Sequence, residues 1–134
     1  MAAISKGTVS AVTSGAFADL PVSWAARTEQ ADGRTSPEEL VAAAHAACFS
    51  MALSNELAKA GHPAERLDVS AEVTFEKGEA GWGVTRSALA VEGRVPGMSA
   101  AQFDAAATAA KDGCPISKAL AGNVELSVKA SLAG

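Results

Sequence analysis

Strand patterns towards both ends of the chain, with a long apolar helix pattern between them, predict an α+β fold for this 134-residue sequence. Three observations carry that expectation. Residues 67–75, LDVSAEVTF, and 124–132, VELSVKASL, alternate apolar and polar side chains with the period of a half-buried strand. Residues 37–60 form a helix pattern whose middle, 40–53, is apolar nearly all the way round. Neither an internal repeat nor a low-complexity linker divides the chain, so a single domain over 1–134 is expected.

The elements follow in order. Residues 8–13 and 22–27 are short β-branched or apolar segments flanking SGAFADLP, whose Ser, Gly, Asp and Pro favour a turn, so they predict a hairpin. RTSPEEL then supplies a helix start: Ser36 is placed as N-cap, Pro37 as first helical residue and Glu39 to close a capping box. Lys59 in the last turn and Gly61 beyond it mark the other end. An all-round apolar helix needs cover on every side, which a second subunit or the chain's own sheet would supply. Residues 82–95 predict a second strand, interrupted by glycine. Ser99 with Gln102 then opens a helix over 99–113, striped by Phe103, Ala106, Ala107 and Ala110. A short helix over 114–121 starts at Cys114 and Pro115 and stops at Gly122, and the last strand follows.

Composition removes several function classes. The chain is 49% apolar, 19% charged and carries a formal net charge of -4, so it has no basic stripe to capture nucleic acid or anionic lipid. The apolar run 40–53 falls short of the roughly 20 residues that span a bilayer and reads as core. The N-terminal MAAISKGTVS lacks the layout of a secretory signal, so a cytoplasmic location is expected, where thiols are kept reduced.

Cys48 and Cys114 are the two cysteines. Cys48 has Ala44, His45, Met51 and Ala52 at helical neighbour spacings, and burial among them would raise its pKa and leave it inert unless a positive partner stands nearby. His45 and Arg27 are the candidates for that charge, and Glu38 or Glu39 would hold the arginine. Glu38 lies ten positions before Cys48, about 15 Å along a straight helix, too far for one guanidinium to bridge. Either the helix breaks, or the carboxylate comes from another subunit, or the pairing fails. Cys114, between Gly113 and Pro115 at a helix start, is where free amides and the dipole lower a thiol's pKa. The plainer alternatives are a cysteine that packs as a small hydrophobe and a histidine satisfied in the core. Zinc held by Cys48, Cys114, His45 and His62 is disfavoured because no pair has metal-ligand spacing.

Taken together, SPEELVAAAHAACFSMAL, VPGMS and GCPISKAL resemble the OsmC branch of the OsmC/Ohr family of thiol-dependent peroxidases, from about Lys6 to the C-terminus. The Ohr branch carries a C-P-Y type second motif, so GCPIS favours OsmC. The resemblance implies an OsmC-like fold: an intertwined homodimer whose central long helices are enclosed by antiparallel and mixed sheets, with sites at the subunit interface. It implies Cys48 as the peroxidatic cysteine, Cys114 as the resolving cysteine, Arg27 as the arginine that activates the thiolate and Glu38 as its holder. No metal or prosthetic group is implied; an external dithiol, a lipoylated protein or a small thiol, reduces the Cys48–Cys114 disulfide. In one respect the chain departs from the family: MAAIS stands where relatives carry a longer stretch, so the N-terminal strand region is shortened.

The expected function is reduction of organic hydroperoxides to alcohols in oxidative and osmotic stress defence, through a Cys48 sulfenic acid. Two rivals remain at this point: a stress-related binding or redox-sensing protein without turnover, and a thiol enzyme of another substrate class.

Overall fold

The computed structural model describes residues 6–11 and 13–133. The expected shortening of the N-terminal strand region falls on MAAIS, which, like Val12, lies outside the described residues. The chain divides into two compact units, Met1–Leu40 and Val41–Gly134. The first holds β1 (Lys6–Val9), β2 (Leu20–Ser23), α1 (Trp24–Thr28) and the first turn of α2 (Pro37–Lys59). The rest of α2, β3 (Arg66–Gly78), β4 (Gly81–Arg94), α3 (Ala100–Gly113), α4 (Pro115–Leu120) and β5 (Glu125–Leu132) form the second.

In the first unit, β1 and β2 pair antiparallel from Lys6↔Ser23 to Val9↔Leu20. The sequence predicts a second strand running to Arg27, but it stops at Ser23. Ser23 is extended, and its hydroxyl accepts the Ala26 amide hydrogen bond at 3.1 Å, so the alanines that follow enter a helix. Arg27 therefore lies in the last turn of α1 and not at a strand end. The chain returns through a parallel bridge between Val22 and Thr35 into the start of α2. There Ser36 Oγ accepts the Glu39 amide at 3.1 Å, Pro37 takes the position whose N–H has no helical partner, and Glu38 and Glu39 face the positive end of the dipole.

Within the second unit α2 runs unbroken to Lys59 and ends as the sequence predicts. Gly61, at φ +85°, lets the His62 amide reach the Leu57 carbonyl (2.9 Å) and its own amide reach Ala58 (3.0 Å). By length and composition α2 is apolar enough to cross a membrane, yet one of its faces is sealed: His45, Phe49, Leu53 and Leu57 are fully buried. The opposite face exposes Ala44, Ala47 and Met51, the last to 73%.

The sheet order is β3-β4-β5. β3 and β4 form a long antiparallel hairpin from Arg66↔Arg94 to Gly78↔Gly81, and β5 lies parallel to β4. Gly83 and Gly93 do not interrupt β4. At Gly93 an added Cβ would come within 2.5 Å of the Phe103 ring, so the missing side chain lets α3 approach the sheet. The residues of β4 facing that helix are Ser87, Leu89 and Val91, joined by Val95 beyond its end, and all are buried. Arg86, Glu92 and Arg94 on the other face meet solvent, the division expected of a sheet covered on one side. Phe49, Leu53 and Leu57 of α2 and Phe103, Ala107 and Ala110 of α3 complete one core with Leu89, Val91 and Val95. Each large side chain there contributes about 1.5–3 kcal/mol by leaving water. Ser99 and Gln102 form both halves of the predicted capping box at the start of α3.

Candidate functional site

Cys48 and Cys114 are brought together. One sits half-buried in the middle of α2, the other is buried at the junction of α3 and α4, and both are free thiols. Their sulfurs are within hydrogen-bonding reach of each other. Burial pushes the Cys48 thiol up; the hydrogen bond it gives to Cys114 pushes it further, against a smaller opposing pull from the Ile116 amide. Burial also acts to raise Cys114, but donors outweigh it: the Cys48 thiol, the amide and hydroxyl of Ser117 and the Ile116 amide together hold Cys114 below its ordinary value. The two amides point towards the sulfur without closing a cap on α4. The two thiols are thus coupled, and Cys114 is the more acidic of the two.

His45 lies one turn before Cys48 but does not serve it as a cation. Its Nδ1 is 2.6 Å from Ser87 Oγ on β4 and its Nε2 is 2.8 Å from Ser117 Oγ on α4. All three residues are buried to within 1% of complete. Burial lowers the histidine's pKa, so the neutral ring is favoured and the charge considered for it from sequence is withheld. Ser117 lies within the GCPIS motif, but the sequence singled out neither it nor Ser87 as a site residue. A signal for Ser87 was present: it shares the inward phase of β4 with Leu89 and Val91, and a polar residue there needs a buried partner.

Within the first unit, Arg27 and Glu38 form a two-point ion pair. Arg27 Nη2 stands 2.7 Å from Glu38 Oε1, while its Nε lies 2.9 Å and 3.1 Å from the two carboxylate oxygens. Glu38 is 8% exposed and Arg27 28%, and the guanidinium lies over the Trp24 ring at 5.5 Å. Buried geometry of this kind fixes an arginine's direction, because losing either partner leaves a charge uncompensated. Glu39, the other carboxylate considered, is exposed.

Among the described residues no group of three His, Cys, Asp or Glu side chains could hold a metal ion. His62 is well away from the thiols in its bonding: its Nδ1 is 3.3 Å from the Pro96 carbonyl. The arrangement is that of paired thiols beside a neutral hydroxyl–imidazole network, suited to exchanging oxidation state between two sulfurs.

Comparison with known proteins agrees with this chemistry. The family described as OsmC-like protein matches residues 30–129. Peroxiredoxin OsmC of Escherichia coli strain K12 is 46% identical over 121 residues, covering 90% of this chain and 83% of the relative. Organic hydroperoxide resistance protein OhrA of Bacillus subtilis strain 168 is 31% identical over 111 residues, covering 83% and 77%. Among solved structures, an organic hydroperoxide resistance protein from Elizabethkingia anophelis superposes with a TM-score of 0.76 at 27% identity, over 89% of this chain and 84% of that one.

Proposed function

Because the chain belongs to the OsmC-like family, we propose that it is a cysteine-based peroxidase of oxidative and osmotic stress defence, reducing organic hydroperoxides to alcohols. The observation that carries the reading is that the folded chain brings Cys48 and Cys114 close enough for each thiol to shift the acidity of the other. Cys48 thiolate attacks the distal peroxide oxygen and the O–O bond breaks. The alkoxide takes the Cys114 thiol proton and leaves as alcohol, while Cys48 becomes a sulfenic acid. Cys114 then closes a disulfide onto Cys48, and an external dithiol reduces it.

Arg27, oriented by Glu38, supplies the positive charge that favours the thiolate form of Cys48 and stabilises it as it attacks. In α2 the helix is unbroken over the ten positions from Glu38 to Cys48, about 15 Å. In this reading an arginine anchored at Glu38 serves Cys48 of the partner subunit in a homodimer. The exposed stripe of Ala44, Ala47 and Met51 along α2 supports that assembly: its spacing suits a helix packed on its own copy. The names of the OhrA relative and its solved counterparts support organic hydroperoxides over hydrogen peroxide as substrate. The reductant is a lipoylated protein or small thiol, and the cell compartment is the cytoplasm.

Steady-state consumption of cumene hydroperoxide with dihydrolipoamide, compared with hydrogen peroxide, tests the reading. Turnover of the organic peroxide at the higher rate, dependent on Cys48, is expected. Equal rates on both would remove the substrate preference, and no consumption of either would remove the peroxidase.

A further inference from the structure

Ser117 has one hydroxyl proton and two neighbours able to accept it, Nε2 of His45 and the sulfur of Cys114. If that proton points to the sulfur, Nε2 must be the donor to Ser117 Oγ. In a neutral ring Nδ1 is then an acceptor, and Ser87 Oγ–H donates to it across 2.6 Å. In that arrangement every donor runs towards Cys114: Ser87 to His45, His45 to Ser117, Ser117 to sulfur. We propose that His45 is a positioning residue that, through Ser117, aims a hydroxyl proton at Cys114 and holds it as the thiolate that closes the disulfide.

The purpose rests on the peroxidase reading. Once Cys48 is a sulfenic acid, it no longer offers Cys114 the thiol proton that favoured the anion. The Ser117 hydroxyl remains, fixed by a histidine that cannot rotate among its two serines. Cys114 sulfur attacks the sulfenic sulfur; the S–S bond forms as the S–O bond breaks, Cys114 is oxidised and Cys48 reduced, and hydroxide leaves to become water with a proton from solvent. A thiol at Cys114 would attack far more slowly, because the thiolate is the nucleophile.

Few other charges act on these groups. Cys48 is the titratable group facing Cys114 from α2, while β4 and α4 bring the hydroxyls of Ser87 and Ser117. On α3, Lys111 pairs with its neighbour Asp112 at 3.4 Å. Among the described residues no carboxylate, lysine or arginine contributes to the shift of His45 or Cys114.

The test titrates Cys114 alone, by thiolate absorbance near 240 nm in Cys48→Ala protein, with and without changes in the network. Ser117→Ala is expected to raise the midpoint by about one pH unit, the scale of one lost charge-assisted hydrogen bond. His45→Leu, which touches no sulfur, should raise it similarly, the double variant no further, and His45→Gln should restore part of the shift through its amide donor. Nitrogen NMR of the unsubstituted protein, independent of any variant's folding, should find His45 neutral with its proton on Nε2 while Cys114 is ionised. A shift with Ser117→Ala but none with His45→Leu, or a proton on Nδ1 beside the ionised thiol, overturns the proposal. The two readings separate cleanly: a network-dependent midpoint without hydroperoxide oxidation of Cys48 upholds the network and ends the peroxidase, and oxidation without that dependence does the reverse.

Discussion

The middle of α2 and the start of α4 each carry a cysteine, and burial raises the pKa of both, yet the two thiols come out on opposite sides of the ordinary value. The Cys48 sulfur gives its proton to its neighbour and receives a single amide. Cys114 receives a thiol, two amides and a hydroxyl. Acidity at this site is therefore set by how many donors the backbone and its neighbours aim at each sulfur, and burial only sets how much each donor is worth. For the proposed cycle the consequence is that Cys114, as resolving thiol, is favoured within one chain, whereas Cys48, as attacking thiol, depends on a charge from elsewhere.

That contrast can be broken most severely at the sulfurs. Cys48→Ser should cut hydroperoxide turnover by about three orders of magnitude or more, because the proposed attacking sulfur is lost and a serine hydroxyl does not ionise to replace it. Cys114→Ser should instead consume about one equivalent and stall, a difference that quenched-flow peroxide assays would resolve. Next comes the charge. Arg27→Met should lower the rate of Cys48 oxidation by about 10²- to 10³-fold, measured under single-turnover conditions with folding checked by circular dichroism. Glu38→Gln should fall between that variant and wild type, since the arginine keeps its charge and loses its aim.

Met51→Asp sharpens the same point from outside the site. A carboxylate placed in an apolar helix–helix contact costs about 3–5 kcal/mol, so the proposed homodimer should dissociate on sedimentation, and Cys48 should lose its activation without losing Cys114. A variant that stays dimeric would show that this face is not the contact. The smallest effect concerns His45. Its folded pKa lies below the ordinary 6.5, so the unfolded chain takes up that proton first. The stability it confers is full above pH 6.5 and declines as pH falls below it, and His45→Gln should flatten that slope in urea titrations.

Much of this was legible in the sequence because it is local. Ser99 and Gln102, Ser36 with Pro37, and Gly61 mark helix ends through contacts spanning a few residues, and each end falls where those residues place it. The motifs around Cys48 and Cys114 were legible as a family resemblance. The α1 helix was not, since its apolar and small residues suit a strand equally well until Ser23 caps them. The histidine network was not, because its three residues come from α2, β4 and α4, and only the folded sheet brings Ser87 under His45. His45 could be read as a core residue or as a base; distances of 2.6 and 2.8 Å to two hydroxyls decide for the former.

The most direct test of the two-thiol cycle adds one equivalent of cumene hydroperoxide to fully reduced protein, followed by alkylation, intact mass and peptide mapping. The account predicts a loss of about two mass units with Cys48 joined to Cys114, and a sulfenic acid trapped on Cys48 in Cys114→Ser protein. Both thiols remaining alkylatable while the hydroperoxide persists would contradict it.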